Sequence, residues 1–116
     1  MPALAGTSPI MYADYGMTFT RGVVKKDSKR RVVPLTGYTA NMQIKTSAEA
    51  TTALLTLTTE NGYLTIDAPR GLIAVEVPAD IMETLPVGTY AFDVEIYDAD
   101  GVKERLVKGP FVVRAG

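Results

Sequence analysis

The chain has 116 residues, 47% of them apolar and 22% charged, an ordinary globular balance at the size of one domain with a core of its own. It contains no Cys and no His, which removes disulfides, thiolate metal sites, the commonest general base and the commonest metal ligand. A net charge of -1 argues against a molecule built as a whole to coat nucleic acid or an anionic membrane.

Taken in chain order, "MPALAGTSPIMYADYG" (residues 1–16) is rich in Ala, Gly, Pro and Ser without a clear period, and reads as an N-terminal arm or lead-in. It lacks the basic start and long apolar centre of a signal peptide. No apolar run approaches bilayer length, so the expectation is a soluble domain made in the cytoplasm with no secretion route of its own. Residues 17–116 read as the folded domain. "MTFTRGVV" alternates as a strand, with Gly22 as a candidate bulge. "KKDSKRR" is a polar turn. "YTANMQIK" puts Tyr38, Ala40, Met42 and Ile44 on one face and Thr39, Asn41, Gln43 and Lys45 on the other, the pattern of a strand with one wet face.

"TSAEATTA" is a connection. "LLTLTT" and "YLTID" are short strands around "ENG", whose Asn and Gly tolerate positive φ. "APRG" breaks the chain and "LIAVEV" resumes it. "PADIMETLP" reads as a single helical turn closed by Pro86. "TYAFDVEIY" is the strongest strand, with Tyr90, Phe92, Val94 and Ile96 on one side and Ala91, Asp93, Glu95 and Tyr97 on the other. "DADG" turns, "VKERLVK" returns, and "GPFVVRAG" closes, with Gly109 and Pro110 read as a break or bulge. Seven or eight short strands at roughly even spacing predict an all-β sandwich or small barrel rather than βαβ units, and the position of Tyr90 favours an immunoglobulin-like antiparallel β-sandwich. Tyr90 follows the "ETLPVG" corner and opens the penultimate strand. A tyrosine there can bond its hydroxyl back to the corner backbone.

Three stretches invite a chemical reading. "DADG" opens like a calcium loop, but position twelve counted from Asp98 is Gly109 rather than a bidentate Glu, while Asp-Gly between alternating strands is a strong hairpin signal. The hairpin is preferred, and no metal or cofactor is expected. "KKDSKRR" concentrates Lys25, Lys26, Lys29, Arg30 and Arg31, which could meet phosphates. It has no aromatic to stack on bases, and a solvated hairpin tip or a charged edge accounts for it. Asp93 with Glu95, and separately Glu76 and Glu83, are carboxylates of the kind any exposed strand face carries. Without His, Cys, G-x-S-x-G, G-x-G-x-x-G or a P-loop, no enzyme is expected.

Thr18 and Phe19, Leu35 to Thr39, Gly62 to Ile66, Leu85 to Glu95 and Gly109 to Val113 together carry a resemblance covering nearly everything after residue 16. They resemble a family of small bacteriophage and prophage tail-associated proteins, similar to the N-terminal domain of upper baseplate proteins of the BppU type. The resemblance implies an immunoglobulin-like sandwich that acts as a virion building block. It would dock on copies of itself and on other phage structural proteins in a symmetric assembly, with no small-molecule substrate. The motifs are strand and turn residues and bring no catalytic residue with them. This chain departs from the family in carrying no long C-terminal extension for a receptor-binding head. The edge strand "MTFTRGVV" could add to a neighbour's sheet. In the arm, Ile10, Met11, Tyr12 and Tyr15 could anchor a neighbouring subunit, or simply cover the domain's own core. A head decoration protein is the nearest alternative. A carbohydrate-binding or adhesion module, with Tyr63 and Tyr97 as its candidate platforms, is the reading from another class.

Overall fold

The computed structural model describes residues 9–115. Eight strands and one helical turn follow one another: β1 Met11–Asp14, β2 Phe19–Val24, β3 Thr39–Lys45, β4 Leu55–Thr58, β5 Leu64–Asp67, β6 Leu72–Val77, α1 Ala79–Met82, β7 Gly88–Tyr97 and β8 Lys103–Arg114. They form a five-stranded sheet in the order β1-β8-β7-β3-β4 and a three-stranded sheet in the order β2-β6-β5. This is the immunoglobulin-like sandwich, with a β2-β6-β5 sheet facing a sheet built on the last two strands and β3.

The alternation read along β3 and β7 sets the two inner faces. Ala40, Met42 and Ile44 of β3 and Phe92, Val94 and Ile96 of β7 are buried. They meet Ile73, Val75 and Val77 of β6, and Phe19 packs edge-on against Phe111 with ring centroids 5.1 Å apart. Nothing polar is fully buried among the described residues, so the core is held by apolar burial and shape alone. Leu35 and Leu85 from connecting segments and Met82 from α1 are buried in the same core.

Three sequence expectations change. First, β1 lies inside the span read as an arm. It pairs in parallel with β8, Met11 opposite Phe111 and Asp14 opposite Arg114, so the larger sheet is not wholly antiparallel and the domain begins before residue 17. Residues 1–8 of that arm lie outside the described residues. Second, "VKERLVK" and "GPFVVRAG" are one strand rather than two: Gly109 and Pro110 sit in the ladder opposite Phe92 and Ala91. The irregularity falls earlier, where Val94 faces Val107 and Glu95 faces Arg105, leaving Leu106 as the extra residue of a bulge. Third, Gly22 stays in register opposite Ala74 and makes no bulge. The strand count agrees with expectation because one strand gained at the start offsets one merged at the end.

The corners follow from local chemistry. The tyrosine hydroxyl of Tyr90 donates to the carbonyl oxygen of Pro86 at 2.6 Å, tying β7 to the corner that precedes it. Tyr90→Phe is therefore expected to lower stability by about 1 kcal/mol, the net worth of one such bond, measured as a shift in the denaturant midpoint at unchanged slope. Gly71 ends a 3-10 turn over Ala68–Arg70 at φ 57°. A Cβ there would lie 2.5 Å from the Val33 carbonyl oxygen, so both conformation and space require glycine.

Candidate docking surface

The four residues proposed as anchors separate by the parity of β1. Met11 is 2% exposed and belongs to the domain's own core, together with Ala13. As an anchor for a neighbour Met11 is ruled out, because successive side chains of a strand point to opposite faces and its face is the inner one. Ile10 and Tyr12 remain 42% and 48% exposed. Tyr12 stands opposite Val112 on the outer face, with the Arg114 guanidinium 4.9 Å from its ring centroid. Arg114 also reaches Asp14 at 3.4 Å. Tyr15, 45% exposed, lies past the end of the strand, where its N–H donates to the Arg114 carbonyl at 2.8 Å.

The outer face of the larger sheet continues from there as a mixed apolar and basic surface. Register places Pro110 beside Ala91 and Lys45, and Lys108 beside Asp93 and Gln43. Lys45, Ala91, Asp93, Arg105, Lys108 and Pro110 line a shallow concavity of about 430 Å³. Three cations surround one carboxylate, so the hollow is net positive. Glu95 lies 4.0 Å from both Lys103 and Arg105. The two carboxylates considered as an acid–base pair are thus each set against cations of β8. Of the two tyrosines considered as sugar platforms, Tyr63 packs against the core and Tyr97 stands half-buried between Thr39 and Lys103.

The basic loop and the basic last strand, far apart in sequence, come together in space. The Lys25 ammonium donates to a Glu104 carboxylate oxygen at 2.6 Å, bridging the end of β2 to the start of β8. As a half-exposed pair it adds about 0–1 kcal/mol; its consequence is placement. Within the loop, Asp27 accepts from the N–H groups of Lys29 and Arg31 at 2.8 and 2.9 Å and from the Arg31 Nε at 3.2 Å. The Arg31 backbone N–H is the main cause that holds its carboxyl below the usual 3.8; desolvation opposes it, and the Lys29 N–H and the Arg31 side chain add smaller depressions. A carboxyl depressed in the folded state stabilises above its unfolded value and loses that contribution as pH falls through its lower folded value. The protection of the Lys29 and Arg31 amides, taken relative to intrinsic exchange at each pH, is therefore expected to be higher at neutral pH and to fall once the solution is taken well below pH 3.8, whereas Asp27→Asn should show the lower protection already at neutral pH.

At the other acidic turn, an Asp98 carboxylate oxygen accepts from the N–H groups of Asp100 and Val102, both at 2.9 Å. The carboxylate closes the hairpin that it was taken to close. Among the described residues, no three acidic, His or Cys side chains are grouped to hold a metal ion, and no helix is long and apolar enough to cross a membrane.

The basic hollow was not anticipated from the sequence. Its signal is nevertheless present in "VKERLVKGP": cations at Lys103 and Arg105 keep one parity and Lys108 the other, so all three reach the same face only if a bulge intervenes, as it does at Leu106. The sequence matches no protein-family model and no curated protein.

Proposed function

We propose that this chain is a structural docking module of a phage virion, a tail, baseplate or neck component that acts through protein–protein contacts in a symmetric assembly. The supporting observation is the exposure of Tyr12 on a strand whose alternate residues, Met11 and Ala13, are core, with exposed Ile10 immediately before it. Because Ile10 and Tyr12 are 42% and 48% exposed, covering them against a neighbour contributes about 1 kcal/mol each, roughly half the value of full burial, while Met11 and Ala13 anchor the strand in the core beneath them. The resemblance of the strand and turn motifs to phage tail-associated proteins supports the same reading, and none of the catalytic motifs sought in the sequence competes with it. The module would work in the virion with other phage structural proteins and with copies of itself, without cofactor or substrate.

The test is composition and position in particles. Particles purified from the phage or prophage that carries the coding sequence should contain the protein, and labelled antibody should mark the tail or neck. Labelling over the whole head surface would favour a decoration protein instead. A monomer absent from particles that binds glycans would replace both readings with an adhesion module.

A further inference from the structure

Besides the four-residue β1 at the rim of the larger sheet, the two sheets expose four stretches of strand edge, and they are not equivalent. β4 and β5 offer four residues each, short edges of the kind that resist pairing. β2 is longer, but its Arg21 stands opposite buried Val75 and still reaches solvent, a charge on the inward side that obstructs an added strand. β8 differs. β1 covers it only from Phe111 to Arg114, and from Lys103 to Pro110 no described residue pairs with its outer edge.

The side chains along that open stretch select their guest. Lys103, Arg105 and Lys108 stand on the outer face opposite Tyr97, Glu95 and Asp93. Two copies pairing β8 to β8 across a two-fold axis would set these cations beside their own counterparts, which is destabilising. The same charges favour a strand with acidic residues on its outer face. Pro110 marks one limit of the guest. Opposite Ala91 it lacks an N–H, which a ladder tolerates only where that N–H would point away from β7, toward the open edge. The N–H of Lys108, two residues earlier on the same side of the bulge, points the same way and has no acceptor among the described residues.

We infer that the open two-thirds of β8, Lys103 to Pro110, accepts an extended acidic segment of a different protein as an added strand. The guest lies against β8 by backbone pairing and against Lys103, Arg105 and Lys108 by charge, and ends where β1 begins. The inference rests on the reading of the chain as a docking module and names the chemistry of one partner. Presence of the protein in particles is measured separately, so either can fail alone.

The experiment uses the full chain and two synthetic peptides of about eight residues, a usual strand length, one alternating Glu with Val and the other Lys with Val. Amide exchange and chemical shifts are followed in titrations. The Glu peptide should protect the Lys108 amide and bind at least about tenfold more tightly than the Lys peptide at low salt, with the preference shrinking as salt rises. Arg105→Glu with Lys108→Glu should reverse the preference; if that variant does not fold, the salt dependence of the unaltered chain decides. Equal binding of both peptides, or protection located on another strand, would overturn the inference. So would a Lys108 amide already protected in the free chain, which would mean that the chain's own residues occupy the edge. Duplex DNA shifting the same residues while the Glu peptide does not would also overturn it, and would make this face a polyanion surface.

Discussion

Removal of residues 1–15 is expected to abolish the cooperative unfolding transition of the domain. The deletion takes away β1 entire. Met11 and Ala13 leave the core, the β1–β8 ladder is lost from Phe111 to Arg114, and the inner faces of Phe111 and Val113 open to water. Truncating a buried Met to Ala by itself costs about 2–5 kcal/mol. A domain of this size is stable by about 5–15 kcal/mol in all, so losing the strand and its ladder together consumes most of that margin. Circular dichroism during a urea titration would show a broad or absent transition, and dye binding would report exposed apolar surface. Removal of residues 1–8 alone leaves β1 whole and is the control. A truncated 16–116 chain that unfolded as sharply as the parent would show that β1 is dispensable and would restore the reading of residues 1–16 as a detachable arm.

Phe111→Ala is expected to cost about 3–5 kcal/mol, the range for a large aromatic removed from a core. Phe111 is fully buried. It faces Met11 on one side and Tyr90 on the other, and its ring meets Phe19 of the opposite sheet. One side chain therefore joins β1, β7, β8 and β2, and no neighbour can relax into the space without leaving its own ladder. A denaturant midpoint shift at constant slope would measure the loss. A cost near 1 kcal/mol would instead show that Met11 or Phe19 fills the space, because the cost of a cavity depends on how far the site collapses. Phe111→Leu, which keeps most of the volume, should lose much less.

The parts of the fold legible in the sequence are those with long periods. β3 and β7 alternate over enough residues that the inward and outward faces follow directly, and their turns are marked by Gly, Asn and Asp. Tyr90 was legible for a different reason: a tyrosine that opens a half-buried strand after a corner needs a partner for its hydroxyl, and the Pro86 carbonyl is within reach. β1 was not legible. Its four residues, Met11 to Asp14, are too few to show a period, and Tyr12 adds a large apolar side chain on the wet face, so Met11 and Tyr12 look alike until pairing with β8 assigns them to opposite sides. Pro110 misled in the other direction. Gly-Pro reads as a break, yet a proline fits a strand wherever its absent N–H would face away from the ladder. Ile10, Tyr12 and Tyr15 stood out as apolar residues in a polar context and are exposed; the hollow beside them, built by Lys45, Asp93, Arg105 and Lys108, depends on three strands and a bulge.

Local interactions fix which segments extend, where they turn, which side of each long strand is apolar, and the sandwich that these imply. Each follows from interactions between residues a few positions apart, or from a side-chain period of two. Which strand lies beside which is settled only by long-range packing. That choice put Met11 in the core, left the outer edge of Lys103 to Pro110 without a partner among the described residues, and brought Lys25 to Glu104. The physical reason is that an edge is defined by an absent partner, and the partner of β8 comes from the opposite end of the chain.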